Sequence, residues 1–174
     1  MMKKITSFFI VLFFFAFLVT LVSLIMPSTV ISSRTQMINA PFRDITTQVY
    51  DLNNWKNWNL VFQQADSIII PGGTKGKGAR IFWMTKKHRN EITVLYVSDS
   101  VIRFQIDRAG ENPIINDIAI HSYDGRSDFE VEWRSIHKLK WYPWEKFAGI
   151  FIDNVVGPGY EAALKQLKDV TENQ

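Results

Sequence analysis

Residues Ile5 to Met26 form one unbroken uncharged run, ITSFFIVLFFFAFLVTLVSLIM. At about 1.5 Å per helical residue it spans roughly 33 Å, enough to cross a hydrocarbon core about 30 Å thick. Pro27 has no backbone donor with which to continue a helix, so it marks the exit. The expected organisation is therefore a transmembrane anchor over residues 1–26 and one globular domain over residues 27–174. The run holds no ionisable residue, so nothing in it points to a channel or a proton path. Ala16 and Thr20 are its only small pair at four-residue spacing, a weak basis for helix dimerisation.

Lys3 and Lys4 precede the run, as basic residues precede the apolar core of a secretory signal. Two features favour retention over cleavage. The stretch exceeds the roughly 7–15 apolar residues of a signal. Its exit, Ser23-Leu24-Ile25-Met26-Pro27-Ser28, contains no A-x-A-like site. Positive charge ahead of the helix predicts a cytoplasmic N-terminus and an extracytoplasmic domain, periplasmic in a Gram-negative cell. Arg34, close on the far side, weakens that asymmetry.

The chain carries a formal net charge of +3, two units of which belong to Lys3 and Lys4. The domain is thus close to neutral and carries no nucleic-acid signature. Cysteine is absent, so no disulfide framework exists and stability must come from burial. All 6 Trp lie in the domain. Indoles at that density imply either a large aromatic core or an aromatic-lined cavity.

Thr29 to Asn39 alternates as a strand. Pro41 opens a helical segment with Phe42, Ile45, Val49 and Leu52 on one face, broken at Asn53-Asn54. Trp55 to Trp58 fits a second short helix or turn. From Ser67 the period becomes two. Strands are expected at Ser67–Ile70, Ala79–Thr85, Glu91–Ser98, Val101–Asp107, Ile114–Ser122 and Asp128–Ile136, with turns at Lys86–Asn90, Asp99-Ser100, Arg108–Pro113 and Tyr123–Ser127. In the last strand Phe129, Val131 and Trp133 face one way, and Asp128, Glu130 and Glu132 the other. Helical spacing returns at Pro143, is interrupted or kinked at Gly157-Pro158-Gly159, and continues from Tyr160 to Val170. This order predicts an α+β fold, a curved antiparallel sheet wrapped around a long C-terminal helix with room for a cavity between them.

Four stretches in this order resemble the START-like, or SRPBCC, superfamily, whose helix-grip fold is shared with the birch-pollen allergen group. They are Met37-Ile38-Asn39-Ala40-Pro41, Val49 to Trp58, Gly76 to Trp83 and Gly157 to Lys168. More narrowly the chain resembles the polyketide cyclase/dehydrase-like branch, including small bacterial members with an N-terminal membrane helix. The resemblance implies the fold; it implies no catalytic residue, because this fold hosts lipid carriers, cyclases, hydroxylase subunits and chaperone activators.

No motif adds chemistry. Gly72 to Gly78 matches neither phosphate-binding glycine pattern and reads as an inter-strand turn, with Lys75, Lys77 and Arg80 available to anionic headgroups. His88, His121 and His137 stand apart from metal-ligand spacings, and His88 reads as part of a solvated turn. No metal and no cofactor is expected. Asp128, Glu130 and Glu132 read as solvated carboxylates rather than an acid–base pair. Alternation leaves open whether Arg103, Asp107 and Asp117 are ion-paired or face a cavity. Trp55 and Trp58 either gate a cavity or cap the core, the second fitting their place in the turn better. Trp141, Tyr142 and Trp144 suit a membrane interface, a cavity rim or a shielded corner.

The expected ligand-binding residues are Trp83, Tyr96, Phe104, Trp133, Phe147 and Phe151, on the sheet or the long helix. The leading expectation is a membrane-anchored domain that holds a hydrophobic small molecule or lipid between sheet and helix. The alternatives are a protein-interaction module without a ligand and an enzyme resembling polyketide cyclases. The expected partners are the membrane, through Ile5 to Met26, and that hydrophobic ligand; no nucleic acid is expected, and no protein partner can be named from the sequence.

Overall fold

The computed structural model describes residues 2–85 and 88–173, and the side chains from residue 5 onward. Lys86 and Lys87, within the expected turn at Lys86–Asn90, lie outside the described residues. The uncharged run is helix α1 (Met2–Ile25), and Ile5–Ile25 is long and apolar enough to cross a membrane. Strand β1 (Thr29–Ile38) follows, then α2 (Phe42–Tyr50), a 3-10 turn (Leu52–Asn57) and α3 (Leu60–Gln63). Six strands come next: β2 (Ser67–Ile69), β3 (Arg80–Thr85), β4 (His88–Val97), β5 (Val101–Arg108), β6 (Ile114–Ser122) and β7 (Phe129–Lys138). Helices α4 (Pro143–Gly149) and α5 (Ile152–Glu172) close the fold.

All seven strands form one curved sheet in the order β1-β7-β6-β5-β4-β3-β2, with every neighbouring pair antiparallel. Each strand from β2 to β7 pairs with the next by a local connection, and β7 closes back onto β1. The 21-residue α5 crosses one face and packs on β1, β7, α2 and α3. This is the α+β helix-grip, or START-like, fold.

The period-two reading of β7 holds. Val131 and Trp133 are buried, and the alternation continues inward through Ser135 and His137. Glu132 stays on the outer face, where Ser33 Oγ donates to it at 2.7 Å and His121 lies 3.6 Å away. Asp128 is paired with Arg126 at 2.8 Å. Arg103 and Asp117 face outward too, joined across β5 and β6 by two hydrogen bonds of 2.7 and 2.9 Å. They serve the sheet and not the interior.

Several strand ends differ from the sequence expectation by one or two residues, β7 extending two further to Lys138, and three boundaries differ with a local cause. Helix α2 ends at Tyr50, before Leu52, because Asp51 leaves the helical region and its carboxylate accepts from Asn53 N at 3.0 Å, starting the 3-10 turn. Asn53-Asn54 is therefore inside a helical turn, not a break. Strand β4 begins at His88, before Glu91, since Asn90 is buried and its side-chain amide donates to Trp83 O and His88 O. The C-terminal helix breaks at Ile150-Phe151 and runs unbroken through Gly157-Pro158-Gly159. Pro158 removes one helical hydrogen bond, and both it and Asn154, four residues earlier, are exposed residues of the helix.

The core centres on Trp55 and Trp58, both fully buried. Their ring N–H groups donate to Val49 O at 2.8 Å and Gln48 O at 3.1 Å, which satisfies the polar atoms that burial exposes to a low dielectric. Phe104 packs edge-on against Trp55 at 4.9 Å, and Trp133 against Trp58 at 5.9 Å. The pair caps the core, and Trp55 also forms the floor of the cavity described next.

Candidate functional site

Two layers that cannot touch everywhere leave a gap where α5 begins. A cavity of about 290 Å³ lies there, open on one side. The sheet supplies Trp83, Ile92, Ile106 and Trp133. Helix α3 supplies Leu60, Val61 and Phe62 on one flank. Helix α5 supplies Val155, Val156, Gly159, Tyr160 and Ala163 on the other. The volume lies at the small end of ordinary ligand sites, which run from about 300 to 1,000 Å³. A wider depression of about 530 Å³ shares Val61, Trp83 and Arg108 with it and extends to Thr85, His88 and Glu111.

The aromatic wall is interlocked by ring contacts and one hydrogen bond. Tyr160 stacks on Trp133 at 4.7 Å, Phe62 meets Trp83 edge-on at 5.2 Å, and Trp133 Nε1 donates to the buried Asn116 Oδ1 at 3.0 Å. The polar residues lining the cavity are few: Asn59, Arg108 and Tyr160. Asn59 is committed, its Oδ1 accepting from Val61 N at 3.1 Å as the cap of α3. Arg108 lies 3.6 Å from Glu111.

Tyr160 lies near enough to Ser135 to feel its hydroxyl, and Ser135 Oγ lies 3.1 Å from His137 Nε2. Burial pushes the Tyr160 phenol above its ordinary 10.0, against smaller lowering effects of Ser135 and Arg108. Burial likewise pushes His137 below its ordinary 6.5, with the Arg108 charge acting the same way and Glu111 opposing. At neutral pH both groups are therefore uncharged. No carboxylate lines the cavity among the described residues. The lining thus holds one neutral tyrosine and one arginine among mostly apolar and aromatic residues. That suits orienting an apolar molecule by one polar end.

Of the six expected binding residues, Trp83 and Trp133 line this cavity. Phe104 lies beneath, fully buried behind Trp55 and Trp133. Tyr96 is on the outer surface: a bulge between Val94 and Tyr96 interrupts the inward series Asn90, Ile92, Val94 and turns the tyrosine out. Phe147 is half-buried on α4, away from the cavity. Phe151 is exposed at the break before α5. Sequence reasoning did not single out Tyr160, Arg108, Leu60, Val61 or the Val155-Val156 pair. Tyr160 and Ala163 did stand on the apolar stripe of the last helix, four residues beyond Val156 and Gly159, which was the available signal.

Among the described residues no group of His, Cys, Asp or Glu is placed to hold a metal ion. The Gly72–Gly78 connection is tied down rather than poised over a ligand. Leu52 N donates to Thr74 O at 2.9 Å, Lys75 Nζ lies 3.4 Å from Asp51, and Arg80 lies 3.6 Å from Glu91.

No family model matches the chain, and no curated protein matches it. Solved structures do. A truncated norcoclaurine synthase from Thalictrum flavum superposes with a TM-score of 0.63 at 15% identity, covering 82% of this chain and 92% of that one. A START superfamily protein from Mycobacterium smegmatis gives 0.62 at 16% identity, covering 82% and 97%. The di-domain ARO/CYC StfQ from the steffimycin biosynthetic pathway gives 0.66 at 10% identity, covering 83% of this chain and 51% of that one. At these identities the likeness is one of fold.

Proposed function

We propose that this chain is a member of the START-like superfamily, close to its polyketide cyclase-like branch. On this reading it is tethered by residues 1–26 and uses residues 27–174 to bind a hydrophobic small molecule or lipid between the sheet and α5. One observation carries the reading: a cavity of about 290 Å³ walled by Trp55, Phe62, Trp83, Trp133 and Tyr160, with Tyr160 and Arg108 as the ionisable residues of its lining. Apolar walls supply most of the affinity, and the two polar groups fix orientation. The 21-residue apolar span supports the tether, and Lys3 and Lys4 ahead of it support a cytoplasmic N-terminus with the domain outside. Tethering raises the encounter rate with membrane-derived ligands by holding the domain at a high effective concentration near them.

Native mass spectrometry of the full chain, released from its own membranes in a mild detergent, tests this. A stoichiometric adduct that organic extraction identifies as apolar, and that Gly159→Leu loses, is the expected result. A bare mass for both proteins, unchanged after incubation with a total lipid extract, would overturn it.

A further inference from the structure

Helix α4 packs on α1, and the contact is fixed by an unusual group. Lys146 is only 4% exposed, and its ammonium donates to Met26 O at 3.1 Å and Ser28 Oγ at 2.5 Å, capping the carbonyl end of α1. Ser23, in the last turn of α1, is fully buried. The start of α4 is therefore held beside the end of the apolar span, at the depth where a spanning helix leaves the hydrocarbon.

What α4 and the start of α5 present outward is apolar. Trp144 is 71% exposed, Trp141 64%, Ile150 and Phe151 60% each, and Val155 75%. Trp141, Tyr142 and Trp144 form one block, with ring centroids 5.3 and 5.0 Å apart. The two carboxylates in this segment are already engaged. Glu145 accepts from Lys140 N at 2.7 Å and from Asn112 at 3.4 Å, and Asp153 accepts from Arg34 and Ser32. Lys140 lies over the Tyr142 ring at 5.8 Å, a cation at the edge of the block. Tryptophan, tyrosine and lysine beside a spanning helix are the side chains that favour the headgroup layer. Val155 belongs both to this exposed series and to the cavity lining.

We propose that the α4–α5 corner is a bilayer-docking surface. Trp141, Trp144, Ile150 and Phe151 enter the interfacial layer of the membrane that α1 spans, and Val155 brings the cavity mouth against lipid. The inference rests on the reading of α1 as an anchor. It adds that the domain lies down on the membrane in one orientation, so that ligand passes between lipid and cavity without crossing bulk water.

The chain has no cysteine, so a single introduced one carries a single label. Full-length Phe151→Cys, Ile150→Cys, Tyr96→Cys and Phe14→Cys proteins are labelled with an environment-sensitive fluorophore and reconstituted in vesicles of phosphatidylcholine and phosphatidylglycerol. Lipids carrying a spin label at a shallow or a deep acyl position serve as quenchers. Deep quenching at Phe14, with shallow quenching at Phe151 and Ile150 several-fold stronger than at Tyr96, is the expected pattern. Deep quenching at Phe14 with Phe151 and Ile150 no more quenched than Tyr96 would overturn the docking surface and leave the anchor standing. Loss of aqueous-iodide quenching at Phe151 without lipid quenching would show another protein on the face, and would overturn it too. An unquenched Phe14 would remove the anchor itself, and the docking surface with it.

Discussion

Arg34 reaches from β1 under the first turns of α5, donates to both carboxylate oxygens of Asp153 at 3.0 and 3.1 Å, and fills the space in which a side chain at Gly157 would begin. The glycine and the arginine are thus one device. A Cβ at residue 157 would displace the guanidinium that lies against it, and the guanidinium lies there because Asp153 holds it. Ser32 Oγ donates to the same carboxylate at 2.5 Å. This cluster fixes the start of α5 over β1, and so the distance across the cavity.

Gly157→Ala therefore depends on what stands at residue 34. Its methyl group displaces the guanidinium from Asp153, and any helix-propensity gain of up to about 1 kcal/mol is offset by the lost pair. In an Arg34→Ala background nothing is displaced. A double-mutant cycle by chemical denaturation should show Gly157→Ala about 1 kcal/mol more favourable in that background than in the natural one. Additive effects would mean that the arginine moves aside without cost.

Gly159 needs no such space. A Cβ built there meets nothing within 4 Å, and the residue lines the cavity from the middle of α5. Gly159→Leu should raise stability by about 1 kcal/mol through helix propensity alone while filling the cavity. The enhancement of an anilinonaphthalene sulfonate probe by the natural protein should fall sharply in this variant. A more stable protein that still binds the probe would place binding elsewhere.

The fold was legible because its signals are local and repeated. The run from Ile5 to Met26 marks a helix by length alone, and Val131, Trp133 and their outward neighbours mark a half-buried strand. The site was legible only in part, because three of its determinants are not local. Tyr96 continues an inward series on paper, and a one-residue bulge reverses it. Gly157-Pro158-Gly159 reads as an interruption or kink, yet α5 passes through it on an exposed face, and the break falls at Ile150-Phe151. That relocation separates Phe147 and Phe151 from the helix face that meets the cavity. Tyr160 was readable as a core residue. Its partnership with Ser135 depends on the position of α5 over β7, which no spacing in the sequence encodes.

His137 should make stability depend on pH. It is 8% exposed, and burial holds its folded-state pKa below the ordinary 6.5. Above that value the ring is neutral in both states and adds no pH dependence. As pH falls through 6.5 the unfolded chain gains a proton that the folded chain refuses, so stability declines until the folded pKa is reached. The charges facing the ring are Arg108, which deepens the effect, and Glu111, which opposes it. Denaturation midpoints for the natural protein and for His137→Gln, taken between neutral pH and pH about 5, should diverge, the variant losing less. Parallel curves would assign the acid sensitivity to other groups.

Tyr160→Phe separates the two duties of this ring. Its stacking on Trp133 at 4.7 Å survives the change, so the cavity keeps its shape. The hydroxyl is lost, and with it the polar contact with Ser135 and the donor proposed to meet a ligand. Ser135 keeps His137 at 3.1 Å, so it is not left unpaired. A net hydrogen bond is worth about 1 kcal/mol, so stability should fall by about that much, and binding of a ligand with a polar end should weaken roughly fivefold to tenfold. A purely apolar ligand of similar size should bind the variant as well as the natural protein. Titrating a fatty alcohol and the corresponding alkane against both proteins reads the difference. Equal weakening for the two would mean that the mutation altered the cavity wall, and equal retention would mean that the phenol does not face the ligand.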